Sequence, residues 1–327
     1  MSKARVLVTR RIPEAGLQVV QDCADVDIWQ GGGPIPRDVF IKKISAVDGL
    51  YCLLTDAVDE ELLAHAPRLR VVSTMAVGYD HIDVQGCTRR KIPVGNTPGV
   101  LTETTADFAF ALLIAAARRI GEAAEFVKAG LWGAWDPTLL VGHDVHGATL
   151  GIIGFGRIGQ AVARRATGFG MRVLASHLSP ITDEILHQTH VEQVSFDRVV
   201  VESDFLSLHV PLTPETRHLI DHDVFNRMKS TAILINTARG QVVDSKALHE
   251  ALRDRTIAYA ALDVTDPEPL SAQDPLLTLP NCLVVPHIAS ASVATRTKMA
   301  MMAAENLRAG LGGQSLPHCV NPEVFEM

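Results

Sequence analysis

Short runs of Val, Ile and Leu alternate along this chain with stretches whose apolar residues recur every three to four positions. That is the pattern of a parallel sheet covered on both faces by helices. In the first third, strands are expected at Arg5–Thr9, Val26–Trp29, Gly49–Leu54, Arg70–Thr74 and Pro93–Gly95, with helical segments such as Pro13–Asp22 and Asp59–Ala66 between them. Thr102–Arg119 is apolar nearly all round and predicts a buried helix between lobes. A second strand series follows at Thr149–Ile153, Arg172–Ser176, Asp204–His209, Ala232–Asn236, Tyr259–Leu262 and Leu283–Val285, six in all. The last helix, roughly Ser292–Ala309, is long enough to return to the first lobe.

The pattern therefore predicts an α/β chain with two doubly wound parallel-sheet domains. Residues 1–101 plus 290–327 form a discontinuous flavodoxin-like substrate domain, and residues 102–289 a Rossmann dinucleotide-binding domain. A length of 327 residues suits two cores better than one. The loop-rich stretch 130–147, with Trp132 and Trp135, is the least regular part and suggests an arm or subunit contact.

Composition narrows the function. The net charge of −7 comes without any Lys/Arg block, which speaks against nucleic acid as a partner. Cys23, Cys52, Cys87, Cys282 and Cys319 have no CxxC spacing and suggest buried thiols in a reducing compartment. The first residues lack a signal-peptide pattern, and the longest apolar run, Phe108 to Ala117, is about half of what a membrane span requires. A cytoplasmic protein with no membrane partner is expected.

The first chemical motif is Gly154-Phe155-Gly156-Arg157-Ile158-Gly159, set between a strand and a helix. In that setting the three glycines permit a tight turn, close approach of a pyrophosphate, and close helix–strand packing. The helix N-terminus supplies N–H groups to the phosphates. The next strand ends in Ser176-His177 where NAD-binding proteins usually carry a carboxylate. NADP is therefore favoured, with NAD still open.

Three further residues follow successive strand ends: Arg239, Glu268 and His287. An imidazole can protonate a carbonyl oxygen, a carboxylate can hold its other nitrogen, and a guanidinium can grip a substrate carboxylate. This set suits hydride transfer to a small 2-oxo acid, with the proton coming from His287.

The chain resembles the D-2-hydroxyacid dehydrogenase family, and within it the glyoxylate/hydroxypyruvate reductases. The resemblance is carried by VGYDHID, NTPGVLTETTAD, LGIIGFGRIGQAVARR, HVPLTPETRHLI, INTARGQVVD, ALDVTDPEP and PHIAS. It implies Arg239 as substrate anchor and Glu268 as partner of the acid–base His287. Among cofactor contacts it implies Thr105, residues 154–159, His209, Val210, Pro211, Thr216, Thr237, Ala238 and Ala289, with Asp263 near the nicotinamide amide. The N–H groups of Val77 and Gly78 would cradle the substrate carboxylate, and Leu54 and Trp135 would line the pocket, Trp135 from a second subunit. A homodimer is implied, and no metal. Ala289 stands where the family usually has Gly. Val77 stands where phosphite dehydrogenases carry Lys, and Glu268 where formate dehydrogenases carry an amide.

Two rival readings stay open. One is a reductase of another 2-oxo acid, such as a phosphonate analogue of pyruvate. The other is a non-catalytic NAD(H)-sensing, corepressor-like scaffold. The clusters His143/Asp144/His146 and His218/Asp221/His222/Asp223 are expected to be polar surface rather than metal ligands.

Overall fold

The computed structural model describes residues 3–326 and divides into two compact units, Met1–Leu101 with Ala291–Met327, and Thr102–Ser290. The first unit runs β1 (Ala4–Val8), α1 (Glu14–Cys23), β2 (Ala24–Ile28), α2 (Arg37–Ile44), β3 (Gly49–Cys52), α3 (Glu60–Ala64), β4 (Val71–Thr74), α4 (Val84–Arg89) and β5 (Val94–Gly95). Its strands are all parallel, in the order β2-β1-β3-β4-β5. This is the flavodoxin-like order, with its switch point at β1/β3.

Both faces of this sheet are apolar because side chains alternate along each strand. Val6 and Val8 join one core with Tyr51 and Val71, whereas Leu7, Leu50 and Val72 join the other. After the second unit the chain returns as α12 (Val293–Leu311), which Ser292 caps by accepting from the Thr295 N–H. The helix packs on α1, where Gly16 lets the two backbones meet: a Cβ there would lie 2.7 Å from Ala300. Polar ties fix its rotation, with Tyr51 Oη donating to the Ala300 carbonyl at 3.1 Å and Ser73 Oγ to that of Ala303 at 2.8 Å. The segment beyond α12 closes the β5 edge through the Val320 N–H to the Val94 carbonyl.

The second unit begins with α5 (Thr102–Ala117) and α6 (Ile120–Lys128). It continues β6 (Thr149–Ile153), α7 (Arg157–Thr167), β7 (Arg172–Ser176), α8 (Asp183–Thr189), β8 (Val191–Gln193), α9 (Phe196–Glu202) and β9 (Phe205–Leu208). Then come α10 (His222–Arg227), β10 (Ile233–Asn236), α11 (Ser245–Arg253), β11 (Tyr259–Leu262) and β12 (Cys282–Val284). All seven strands are parallel, in the order β12-β11-β10-β9-β6-β7-β8. The expected six strands are thus seven. The extra one, β8, is a three-residue edge strand, Val-Glu-Gln, whose single apolar residue leaves no run to detect. The expected α5 stops at Ala117, because Arg119 turns left-handed at φ 51° and starts α6.

One face of this sheet packs on α5 and α7, the other on α9, α10 and α11. Ile233 and Ile235 point to the first face and Leu234 to the second, so the centre of the sheet is dry on both sides. Its strand C-termini are left to loops, where open sheets of this kind carry their chemistry.

Candidate active site

The turn after β6 has the geometry a dinucleotide needs. Gly154 sits at φ +91°, and a Cβ there would come within 2.6 Å of the His209 carbonyl oxygen. A Cβ on Gly159 would lie 2.4 Å from the Gly154 oxygen, so this glycine is what allows α7 to approach the strand. A Cβ on Gly156 would meet nothing within 4 Å: the turn is open at the point where a pyrophosphate would approach the backbone. No side chain caps α7, whose first N–H groups and positive dipole end remain available to an anion.

Thr237, just past β10, has a buried Oγ1 with no partner among the described residues. A buried hydroxyl without a hydrogen bond is costly unless a ligand completes it. These features fit a bound dinucleotide. At the end of β7, the Phe155 N–H donates to His177 Nδ1 at 3.3 Å, which leaves the imidazole proton on Nε2. Ser176 offers its carbonyl to the Gly154 N–H, and Arg157 is exposed at the first position of α7. The side chains of Phe155 and Ile158 pack into or against the core, so these two can meet a ligand through the backbone.

The loops after β10, β11 and β12 carry Arg239, Glu268 and His287, and they are tied together in series. Asn236, 1% exposed at the end of β10, donates from Nδ2 to the Arg239 carbonyl at 2.9 Å and accepts from the Ala238 N–H at 3.0 Å. It thereby closes the turn that presents Arg239, whose guanidinium also donates to the Ala238 carbonyl. Gly240 lets this turn touch the loop after β11, since a Cβ would fall 2.0 Å from the Thr265 backbone. Ser245 Oγ, donating to the Asp266 carbonyl at 2.8 Å, holds the same contact.

From that loop Glu268 reaches His287: Nδ1–H donates to Oε1 at 2.6 Å, with both side chains partly buried. The pairing leaves Nε2 as the imidazole's other working nitrogen. His287 has φ +53°, a left-handed backbone that a non-glycine residue holds only when its surroundings impose it. Asp263 imposes it. Its carboxylate accepts from the Ile288 N–H at 2.7 Å and the Ala289 N–H at 2.9 Å, and its carbonyl accepts from the His287 N–H at 2.9 Å. Asp263 is only 1% exposed, and desolvation raises its pKa while the two amides pull it back down.

The expected cofactor residues His209, Val210, Pro211 and Thr216 follow the end of β9. His209 follows β9 directly, its ring nitrogen 2.8 Å from Ser207 Oγ, and burial pushes its pKa down to about 4. Beyond Val210, Thr216 closes the following loop by donating to the Pro211 carbonyl at 2.6 Å. Thr105 is buried on α5. Trp135, in the irregular stretch of the same unit, is 83% exposed.

Within the first unit, Val77 and Gly78 follow β4, and among the described residues neither N–H donates to a protein acceptor. Two consecutive unengaged amides can form an anion nest. Leu54 follows β3 in a turn that Asp56 holds by accepting from the Leu53 N–H at 2.7 Å and from Thr9 Oγ1.

Two residues that the sequence reading missed are Asn236 and Gly240, and Asp263 holds the His287 loop in a way it did not foresee. The available signal was a polar residue ending an otherwise apolar strand, ILIN before Arg239 and YAALD before Glu268. Among the described residues no helix is long and apolar enough to cross a membrane.

Comparison with known proteins places this architecture. A family model described as the NAD-binding domain of D-isomer specific 2-hydroxyacid dehydrogenases matches residues 110–289. A glyoxylate reductase of Korarchaeum cryptofilum is 52% identical over 326 residues, covering 99% of this chain and 98% of its own. One from Thermococcus kodakarensis is 47% identical over 329 residues, with 99% and 98% covered. Among solved structures, a protein from Thermus thermophilus superposes with a TM-score of 0.91 at 45% identity, covering 97% of this chain and 99% of that one. An NADPH-dependent glyoxylate/hydroxypyruvate reductase from Sinorhizobium meliloti, in complex with NADP and malonate, gives a TM-score of 0.86 at 31% identity, covering 99% and 98%. The chain belongs to the D-isomer specific 2-hydroxyacid dehydrogenases, oxidoreductases whose Rossmann domain takes a nicotinamide dinucleotide.

Proposed function

We propose that this chain reduces glyoxylate or hydroxypyruvate to the 2-hydroxy acid, the D isomer where the product is chiral, with NADPH preferred over NADH. The observation that carries this reading is the His287–Glu268 pair at 2.6 Å, built on loops tied to the Arg239 turn in the unit that holds the Gly-rich turn. The relatives named glyoxylate reductase support the choice of substrate. A bound nicotinamide dinucleotide supplies the hydride. Arg239 holds the substrate carboxylate in its planar fork and polarises the neighbouring carbonyl. His287 gives the proton on Nε2 to the carbonyl oxygen as negative charge develops there, while Glu268 keeps Nδ1–H and stabilises the charged imidazole beforehand.

Val77 and Gly78 are assigned as further N–H donors to the carboxylate, and Leu54 and Trp135 to the substrate pocket, Trp135 supplied by a second copy. Thr105, Thr216, Thr237, Ala238, Ala289 and residues 209–211 are assigned to the cofactor. The preference for NADPH is supported by Ser176 and His177, with Nε2–H as a donor and no carboxylate to repel a 2′-phosphate, and by Arg157 nearby. The Sinorhizobium relative is itself NADPH-dependent. A homodimer is supported by the exposed apolar residues of one stretch of the chain, Ile120, Val127, Leu131, Trp132, Trp135 and Val141. Five free cysteines support residence in a reducing cytoplasm.

The test is a panel of 2-oxo acids assayed by absorbance with each cofactor. The expected result is turnover of glyoxylate and hydroxypyruvate with kcat/KM at least ~10³ above that of background and higher with NADPH than with NADH. Binding of NADPH without turnover of any 2-oxo acid would instead identify a cofactor-sensing scaffold.

A further inference from the structure

We infer that Asn96 is a positioning residue that aims the amide cradle at Val77 and Gly78, an inference that rests on the reading of that cradle as a carboxylate site. Asn96 Nδ2 donates to the Val77 carbonyl at 2.8 Å, and the next residue's backbone, the Thr97 N–H, donates to the Ala76 carbonyl at 2.9 Å. Each contact fixes one peptide plane. Because a trans peptide points its C=O and its N–H in opposite directions, holding the Ala76 carbonyl aims the Val77 N–H, and holding the Val77 carbonyl aims the Gly78 N–H.

The Val77 and Gly78 N–H groups, neither of which has a protein acceptor among the described residues, thus lie in peptide planes pinned from behind. Donation to a carbonyl also polarises its peptide and makes the opposite N–H a stronger donor to an anion. Neither amide can turn away to another acceptor without losing a bond.

The clamp has its own anchor. Asn306, fully buried on α12, donates from Nδ2 to the Asn96 carbonyl at 2.9 Å and accepts from the His318 N–H at 2.9 Å. The Asn96 N–H in turn donates to the His318 carbonyl. Gly95 permits the approach, since a Cβ there would lie 2.6 Å from that of Asn306. The C-terminal helix and the segment after it therefore set the position of Asn96, and Asn96 sets the cradle.

The experiment compares wild type with Asn96→Asp, which keeps the shape and removes the donor, and Asn96→Gln, which keeps a donor on a longer arm. KM for glyoxylate and the inhibition constant of oxalate should rise ~10-fold in N96D, the loss of about one hydrogen bond, with KM for NADPH unchanged and kcat altered less than KM. N96Q should recover part of the affinity. Oxalate added to the labelled wild-type protein should shift the Gly78 amide and Asn96 side-chain NH2 resonances together, a readout that needs no variant to fold. Affinities within twofold of wild type in a folded N96D, or resonances unmoved when oxalate binds, would overturn the inference. Wild type that binds oxalate at these resonances but reduces no 2-oxo acid would sink the functional reading while leaving the clamp standing.

Discussion

His287 shows how much of this site is made by residues that do no chemistry themselves. Its backbone is left-handed, its ring is held by Glu268, and its loop is gripped by Asp263, so a side chain on an irregular segment acquires one orientation. Replacing Glu268 by Gln would keep the shape and remove the charged acceptor that orients the imidazole. The Glu268→Gln variant should therefore show a kcat/KM ~10–100-fold down, as for loss of a partner that orients a histidine. Steady-state assays of the two proteins check this. An unchanged kcat/KM would mean the carboxylate only fills space.

At the scale of elements, every strand but β8 overlaps one that the sequence pattern predicts. The central strands were legible because they are short, mostly apolar runs buried on both faces, as in ILIN and FLSL. The edge strand β8 was not, since an edge tolerates polar residues and so loses its pattern. The Gly-rich turn and the three side chains proposed to act, Arg239, Glu268 and His287, stand out in the sequence because their chemistry is local or lies at strand ends. The clamps were not, because Asn236 and Asp263 matter through contacts with backbone groups whose position only the folded chain defines. Gly240 belongs to the same class. Its Ala variant would drive a methyl group into the Thr265 backbone and part the Arg239 turn from the Glu268 loop. Thermal unfolding should show a loss of ~1–3 kcal/mol, and assays a kcat/KM at least ~10-fold lower. Wild-type behaviour would mean that the two loops are independent.

The molecule as a whole presents a contrast between its ordered sheets and the irregular stretch 130–147, whose tryptophans lie in solvent in the single chain. Exposed aromatic side chains of this kind anchor subunit contacts. Light scattering should therefore show two chains per particle, and Trp132→Asp a dissociation constant at least ~10-fold higher. A monodisperse single chain at micromolar concentration would remove the dimer and with it the role given to Trp135. The fold class followed from the rhythm of apolar runs. The assembly could not be read in that way, because an exposed Trp in a loop has the same local sequence signature whether it meets water or a partner.

In the proposed reaction the proton comes from His287. The direct test is the single-turnover rate of NADPH oxidation at saturating glyoxylate in wild type and in His287→Ala, with NADPH affinity measured alongside. The variant's rate should be ~10²–10⁴-fold lower, with NADPH binding retained. A rate within a few-fold of wild type would contradict that assignment.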